Sequence, residues 1–168
     1  MPADTAWAAD WEKGWAEAPR GYAYATYRIG KKRLGIYSLH LKSNLGDAAA
    51  NTSKREDAAG QLVRHIQAEA TRAPVDCLVI GGDFNTDDPD QPQAPSPGEK
   101  TFPTLRKAGF VWAFDGIPHA QRITCPGHGR YPDACFDQFF TKGLGKPAAR
   151  VMATEGSDHL PVAMEVGL

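Results

Sequence analysis

The sequence predicts an α/β fold in which a mostly antiparallel sheet is flanked by helices. Its clearest strand is the apolar run over residues 78–80, which breaks at two glycines and then presents Asp83 and Asn85. A strand hairpin is predicted over residues 21–42, and a long helix over residues 53–72 follows it. Strands and helices with apolar faces must cover one another, so the pattern favours a layered domain.

The composition is that of an ordinary globular protein. Hydrophobic residues make up 42% and charged residues 23% of 168 residues, so we expect one domain over residues 1–168. No apolar run is long enough to cross a bilayer, and the N-terminus lacks a signal-peptide pattern. We expect a soluble protein, cytoplasmic unless a longer precursor directs export. The net charge is −1, so nucleic-acid binding would require a local basic patch.

Residues 4–18 are predicted to form a helix, because Trp7, Trp11 and Trp15 recur at four-residue spacing. Residues at this spacing share one face of a helix. Three tryptophans are a large apolar area for a terminal helix. The stripe therefore belongs either to the core or to a surface that binds a partner.

The hairpin after this helix is predicted from its tyrosine-rich first strand and from a turn at Gly30. The return strand covers residues 33–42. On it, His40 shares a face with Leu34 and Ile36 and ends what we expect to be a buried row. A histidine in that position is either a core histidine with a hydrogen-bond partner or an active-site residue.

The long helix is predicted to begin at the capping box of Ser53 and Glu56 and to end before Pro74. His65 lies off its apolar stripe, where we expect the imidazole to be solvated. The proline-rich residues 86–100 are predicted to form an irregular loop. The remaining predicted elements are a short helix over 101–108, strands over 111–114, 148–153 and 160–166, and a hairpin with arms over 122–124 and 135–141.

The three cysteines leave two alternatives open. Cys125 and Cys135 bracket a turn rich in glycine and proline and can form a disulfide, with Cys77 as a small core residue. The other alternative is that all three are reduced thiols.

Carboxylates and histidines recur at the ends of the predicted strands. Asp83 and Asn85 share a face if the strand continues through them, although a turn after a strand is the blander interpretation. Asp137 interrupts an aromatic strand, and a buried carboxylate needs a partner, for which His159 is our choice. Asp158 is then free to join Asp83 and Asn85 around a hard cation.

Four short motifs follow one another along the chain: YSLHLK at 37–42, GDFN at 82–85, FD at 136–137 and SDHLPV at 157–162. Their order resembles that of the endonuclease/exonuclease/phosphatase superfamily, whose fold is that of DNase I. The chain is similar to the C-terminal portion of such a protein from about residue 20 onward. The resemblance implies a truncated DNase I-like α/β sandwich.

The resemblance also implies a role for each matching residue. Asp158 resembles the metal-ligating carboxylate, and Asp83 is a second candidate ligand. Asp83 and Asn85 resemble the pair that orients the attacking water and holds the phosphate. Asp137 and His159 resemble the dyad that acts on water or stabilises the phosphorane.

Three residues are implied as contacts of the substrate phosphate: Asn85, the second active-site histidine His40, and Arg20. The activity implied is hydrolysis of phosphate esters with Mg²⁺ or Mn²⁺ as cofactor. A phosphodiesterase, in first place a nuclease acting on DNA or RNA, is our choice. A phosphatase or a lipid phosphodiesterase would use the same chemistry.

The sequence departs from the superfamily at its start. Members carry an N-terminal half with a metal-binding glutamate in a Gln-Glu pair, whereas Glu12 and Glu17 lie on the predicted helix and match no expected strand. A catalytically silent or weak remnant that binds nucleic acid or protein is therefore the alternative function. A chain without half of a two-sheet sandwich leaves one sheet face uncovered. We expect a homodimer to cover that face, with the tryptophans near the contact, unless the N-terminal helix caps it.

Overall fold

A six-stranded sheet, a separate two-stranded sheet and two helices form the framework of the protein. The structure, a computed structural model, describes residues 3–11, 21–90, 94, 96–129 and 131–168. The elements are β1 Thr5–Asp10, β2 Gly21–Ile29, β3 Lys32–His40, α1 Ala48–Arg72, β4 Cys77–Asp83, α2 Thr101–Lys107, β5 Val111–Trp112, β6 Asp137–Lys142, β7 Ala148–Val151 and β8 Val162–Glu165, with a 3₁₀ turn at His119–Gln121.

The large sheet has the spatial order β1-β2-β3-β4-β6-β5, and β7 pairs with β8. Among the described strands only β3 and β4 run parallel, and the other neighbours are antiparallel. The chain passes from β3 to β4 through α1, which is the kind of crossover that a parallel pair requires. The predicted α/β fold with a mostly antiparallel sheet and flanking helices is therefore confirmed.

The predicted helix over residues 4–18 is wrong where the structure describes it. Residues 5–10 form β1, which pairs antiparallel with β2 from Thr5 opposite Thr26 onward. Residues four apart share a face in a strand as well as in a helix, so the tryptophan spacing did not separate the two. Trp7 packs on Tyr24 and Trp11 is buried, so both belong to the core; Trp15 lies outside the described residues.

The predicted hairpin is present as β2 and β3, joined at Gly30 in a left-handed conformation with φ of 60°. The predicted faces of β3 are reversed. Tyr37 and Leu39 are buried, whereas Leu34 is only partly buried and His40 is exposed. The reason is that the tyrosine face of the hairpin lies under α1, where Tyr37 stacks on a tyrosine of β2 at 4.4 Å between ring centroids.

α1 starts five residues earlier than predicted, because Asp47 caps it and its carboxylate accepts the N–H of Ala50 at 3.0 Å. The helix ends at Arg72, as predicted. His65 is not solvated: its Nδ1 lies 3.0 Å from the Tyr37 hydroxyl, and its ring packs on Trp7. Burial lowers the pKa of His65, which favours the neutral form of the imidazole in this aromatic setting.

The core lies between the large sheet and the helices. Leu62 of α1 and Ile80 of β4 are both buried in this core. Phe102 of α2 packs against Phe140 of β6, with 4.9 Å between the ring centroids. These aromatic contacts tie the helical layer to the centre of the sheet. None of the helices in the described residues is both long and apolar enough to cross a membrane.

The C-terminal third differs from the prediction in one pairing. The predicted hairpin with arms over residues 122–124 and 135–141 is wrong, since β6 pairs with β4 and β5 instead. Next to the two segments, Cys125 and Ala134 form an isolated bridge rather than a strand ladder. All three cysteines are free thiols, which decides between the two alternatives for them.

The face of the large sheet opposite α1 is only partly covered. Over β1, β2 and β3 it presents Ala6, Ala8, Ala23 and Ser38, all of them exposed. Toward β6, in contrast, Val162 of the small sheet packs against the core. Among the described residues, small exposed side chains therefore line this face beside His40, at the end of β3.

Candidate active site

Three strand ends bring three predicted site residues to one edge of the large sheet. His40 is the last residue of β3, Asp83 the last of β4, and Asp137 the first of β6. The register pairs Asp83 with His40 on one side and with Asp137 on the other. Paired residues in adjacent strands lie within side-chain contact. The imidazole Nε2 of His40 is accordingly 3.2 Å from Oδ2 of Asp83.

His159 joins this edge from the loop before β8. Its Nδ1 lies 2.7 Å from Oδ2 of Asp137, the partner chosen for it from the sequence, and both side chains are about three-quarters buried, with 29% and 25% exposed. The carboxylate sets the orientation and tautomer of the imidazole, which turns its Nε2 away from Asp137.

Thr124, a residue that sequence reasoning missed, holds both members of this pair. Its Oγ1 accepts the backbone N–H groups of Phe136 at 2.9 Å and Asp137 at 3.0 Å. Its carbonyl accepts the N–H of Leu160 at 2.7 Å, next to His159. Thr124 is fully buried. No local pattern marks a threonine before a turn as such a junction, because its partners are 12 to 36 residues away.

Asp83 and Asn85 do not share the face of an extended strand, because β4 ends at Asp83 and Asn85 has a φ of 52°. The turn brings the Asn85 N–H to Oδ1 of Asp83 at 2.8 Å. The Asn85 side chain is buried and donates its amide to the carbonyl of Leu41 at 3.2 Å, and Asn44 donates to the Asn85 carbonyl. Asn85 therefore anchors the loop that follows β4.

Gly82 permits the close approach of β3 to β4 at the site. Its φ is 140°, and a Cβ there would lie 1.9 Å from the carbonyl oxygen of Leu39. Only glycine fits this backbone without a shift of β3. The residue before Asp83 is therefore a glycine for steric reasons.

The electrostatics of the site are those of two neighbouring carboxylates. Burial, and then the charge of Asp137, raise the pKa of Asp83, although the Asn85 N–H and the two histidines act against the rise. Burial acts to lower the pKa of His159, but the hydrogen bond and charge of Asp137 outweigh it and raise that pKa. The site therefore favours a cation, whether a proton or a metal ion, between its carboxylates.

The donor set fits a divalent cation. Ligand atoms of Asp83, Asp137 and His159 lie within 4.8 Å of one another, a group found among the described residues. Carboxylate oxygens suit Mg²⁺ and Mn²⁺, and imidazole is acceptable to Mn²⁺. Asp158, the predicted metal ligand, is exposed and lies outside this group. Arg20, Glu12 and Glu17 lie outside the described residues.

Scans of the sequence found no matching family model and no matching curated protein. Solved structures do match. TDP2 from Caenorhabditis elegans is 15% identical with a TM-score of 0.71, over 99% of this chain and 51% of its own chain. The match to a truncated form of that protein covers 67% of the truncated chain. This chain thus spans about half to two thirds of those structures.

Two proteins from Bacteroides thetaiotaomicron match as well. A mannosyl-6-phosphatase is 14% identical with a TM-score of 0.64, over 99% of this chain and 67% of its own. An endonuclease/exonuclease/phosphatase family protein is 14% identical with a TM-score of 0.62, over 98% of this chain and 65% of its own. The fold expected from the four short motifs is confirmed by these comparisons: the chain has the fold of these solved structures, one of which is an endonuclease/exonuclease/phosphatase family protein.

Proposed function

We propose that the protein hydrolyses phosphodiesters with the help of a divalent metal ion, and that nucleic acid is the first substrate class to test. The observation that carries the proposal is the Asp137–His159 pair beside Asp83 and His40 at one sheet edge. Attack on phosphorus needs a base for water and groups that offset negative charge. A mannosyl-6-phosphatase and an endonuclease/exonuclease/phosphatase family protein among the structural neighbours support phosphoester chemistry.

His159 is the proposed general base. Its Nδ1 is held by Asp137, so its Nε2 would take the proton of a water that attacks in line with the leaving oxygen. Asp137 then stabilises the imidazolium that forms. His40 is 57% exposed beside Asp83 and would donate an N–H to a phosphate oxygen. Asn85 and Gly82 keep the Asp83 carboxylate at the strand end.

A cation would be held by Asp83 and Asp137, with Asp158 as the further ligand that the superfamily resemblance suggests. When bound, it would offset the charge that develops on the phosphate oxygens. The glutamate expected in the superfamily has no match among the described residues. We therefore propose a site completed by water, with weak metal affinity.

Hydrolysis of plasmid DNA is expected to stop in excess EDTA and to return with added Mg²⁺ or Mn²⁺, because the ligands are hard oxygens. Turnover should saturate only at metal concentrations of about 1 mM or more, since few charged ligands surround the ion. Parallel titrations by calorimetry and by turnover measure this. Undiminished hydrolysis in EDTA would contradict metal dependence. Tight binding that is lost in Glu12→Gln or Glu17→Gln would contradict a water-completed site.

The reaction class is tested with three substrates in Mn²⁺: plasmid DNA, bis-p-nitrophenyl phosphate and p-nitrophenyl phosphate. We expect the two diesters to be hydrolysed faster than the monoester. Preference for the monoester would point to a phosphatase instead.

A catalytically silent binding module is the second candidate function. It is favoured by the exposed alanines on the sheet face opposite α1, which offer a surface to a partner. Absence of both metal binding and turnover at every metal concentration would select this function over the enzyme.

We also propose that a second copy of the chain covers the open face. Exposed alanines on β1 and β2 allow another sheet to approach closely, and exposed apolar patches favour association. Light scattering is expected to report a dimer that Ala23→Lys, at the centre of the face, dissociates. Leu45→Lys, at an exposed leucine elsewhere, is the matched control and should leave the dimer intact. A monomer at high protein concentration would contradict the dimer.

A further inference from the structure

We propose that the buried ion pair of Asp87 and Arg122 is a positioning device that sets Asn85 and the Asp137–His159 pair relative to each other. The inference rests on the proposed function and adds positioning residues to it. Asp87 lies two residues after Asn85 in the loop that follows β4. Arg122 lies two residues before Thr124, the buried junction that holds the Asp137 and Leu160 backbones. One ion pair thus joins the loop that follows Asn85 to the segment of Thr124.

The pair is buried and directional. Arg122 donates from Nη1 to Oδ1 of Asp87, and each side chain is only 1% exposed. The Asp88 N–H donates to the same carboxylate oxygen at 2.6 Å. On the other side of the carboxylate, His119 Nε2 lies 3.6 Å from Oδ2. A single charge-assisted hydrogen bond, from Nη1 to Oδ1, thus restricts the distance between the two segments.

Trp112 extends the link to the strand that begins with Asp137. The Arg122 guanidinium lies 4.9 Å from the centroid of the Trp112 ring. The indole N–H donates to Oε1 of Gln138 at 2.8 Å, and Gln138 is the neighbour of Asp137 on β6. The amide of Gln138 in turn points to the carbonyl of Thr86 at 3.4 Å, within the loop of Asp87. The contacts therefore form a closed circuit that links the loop of Asp87 to β6 beside the site.

A second ion pair fixes the same loop one residue later. Arg106 of α2 donates to both carboxylate oxygens of Asp88, at 3.2 and 2.9 Å, and its guanidinium also lies near the Trp112 ring. Consecutive aspartates are thus held by arginines from two different segments. The loop after Asn85 has little freedom to shift without breaking one of these pairs.

An ion pair in this position contributes to the placement of the two segments as well as to stability. Apolar side chains of similar volume can replace a buried ion pair without loss of stability, whereas removal of one partner leaves an uncompensated charge. An apolar pair would fill the space between the two segments but would not supply the hydrogen bond that restricts their distance. The double variant Asp87→Leu with Arg122→Met separates these two contributions.

The matched control is the other buried arginine–carboxylate pair, Arg55 with Glu99, whose side chains are 0% and 1% exposed. Arg55 joins α1 to the end of the proline-rich loop and contacts none of the site residues described above. The double variant Arg55→Met with Glu99→Leu likewise replaces a buried ion pair by apolar side chains, but between α1 and the end of the proline-rich loop. Each double variant is compared with the wild-type protein at the same free energy of unfolding, which is set by adding urea to the more stable protein.

Amide hydrogen exchange at Asn85, Asp137 and Leu160 is the first measurement, because it does not depend on activity. In the Asp87→Leu/Arg122→Met variant we expect exchange at these three amides to rise about 10-fold or more, with the β2–β3 hairpin unchanged. The Arg55→Met/Glu99→Leu variant should leave the three amides as in the wild type. Equal protection in all three proteins, or a uniform rise across the sheet, would overturn the proposal.

The second measurement is hydrolysis of bis-p-nitrophenyl phosphate in saturating Mn²⁺. The Asp87→Leu/Arg122→Met variant is expected to lose about 10- to 100-fold in kcat with little change in KM, because misplacement of the reacting groups affects the chemical step. Wild-type kcat in this variant would overturn the positioning role. If the wild type itself hydrolyses no phosphoester, the proposed function fails, and the exchange pattern still decides the positioning role.

Discussion

His159→Ala is expected to lower kcat for phosphodiester hydrolysis by at least about 100-fold while leaving the fold intact. The imidazole is held by Asp137 at 2.7 Å and is the group placed to take a proton from water at this sheet edge. His159 lies in a loop and is partly exposed, so its removal creates no large cavity. Steady-state kinetics in saturating Mn²⁺, with circular dichroism as the check on folding, measure the effect.

The control for this substitution is His128→Ala. His128 is exposed in the turn between Cys125 and Ala134 and packs on Tyr131. It is expected to keep near wild-type kcat. If His159→Ala keeps a rate similar to that of His128→Ala, His159 is not the base.

The role of His159 as general base also predicts how the rate depends on pH. A general base acts in its neutral form, and the pKa of His159 is raised above the ordinary 6.5 because Asp137 outweighs burial. In the metal-free protein, an NMR titration of the His159 ring should therefore have its midpoint above 6.5, and the rate should rise with pH as the neutral imidazole forms. In Asp137→Asn, the charge that raises this pKa is lost, so the midpoint should move to lower pH while kcat falls. If the midpoint is the same in Asp137→Asn as in the wild type, the hydrogen bond to Asp137 is not what raises the pKa of His159.

Arg55→Met is expected to lower the free energy of unfolding by about 3–5 kcal/mol, the largest stability effect that we anticipate. Arg55 is fully buried, and its Nη2 lies 2.7 Å from Oε2 of Glu99. Its Nη1 also donates to the carbonyl of Lys42 at 2.9 Å. The substitution would leave the Glu99 carboxylate buried without its cation. Urea denaturation should show a lower midpoint with an unchanged slope.

Two further variants test the reason for this loss. Arg55→Met combined with Glu99→Leu removes both charges and should recover most of the stability. Arg150→Met breaks an exposed pair with Glu165, whose side chains are 59% and 75% exposed, and should cost about 0.5 kcal/mol or less. A similar cost for Arg55→Met and Arg150→Met would show that burial does not set the value of the pair.

Several features of this protein were determined by its local sequence. The β2–β3 hairpin, the end of α1 at Arg72 and the presence of a strand at residues 78–80 follow from turn residues, helix stop signals and apolar runs. The partnership of Asp137 and His159 could also be chosen from the sequence, because a carboxylate in an aromatic strand requires a partner. In each case the deciding interaction is local or the number of compatible partners is small.

Other features were decided only when distant segments packed together. A four-residue spacing of tryptophans fits a strand and a helix equally, and pairing with β2 selects the strand at residues 5–10. His65 lies off the apolar stripe of its own helix, yet the aromatic strands below it supply a partner in Tyr37. The buried face of β3 was likewise set by the layer that α1 forms over it.

The residues that hold the site together are the ones that the sequence could not reveal. Thr124 reaches the Asp137 and Leu160 backbones, and Asp87 meets Arg122 across 35 positions of the chain. A threonine or an aspartate in a loop has many solvated alternatives, and no local rule selects among them. Their roles depend on burial, because removal from water makes each unsatisfied polar group costly and forces these particular partners together.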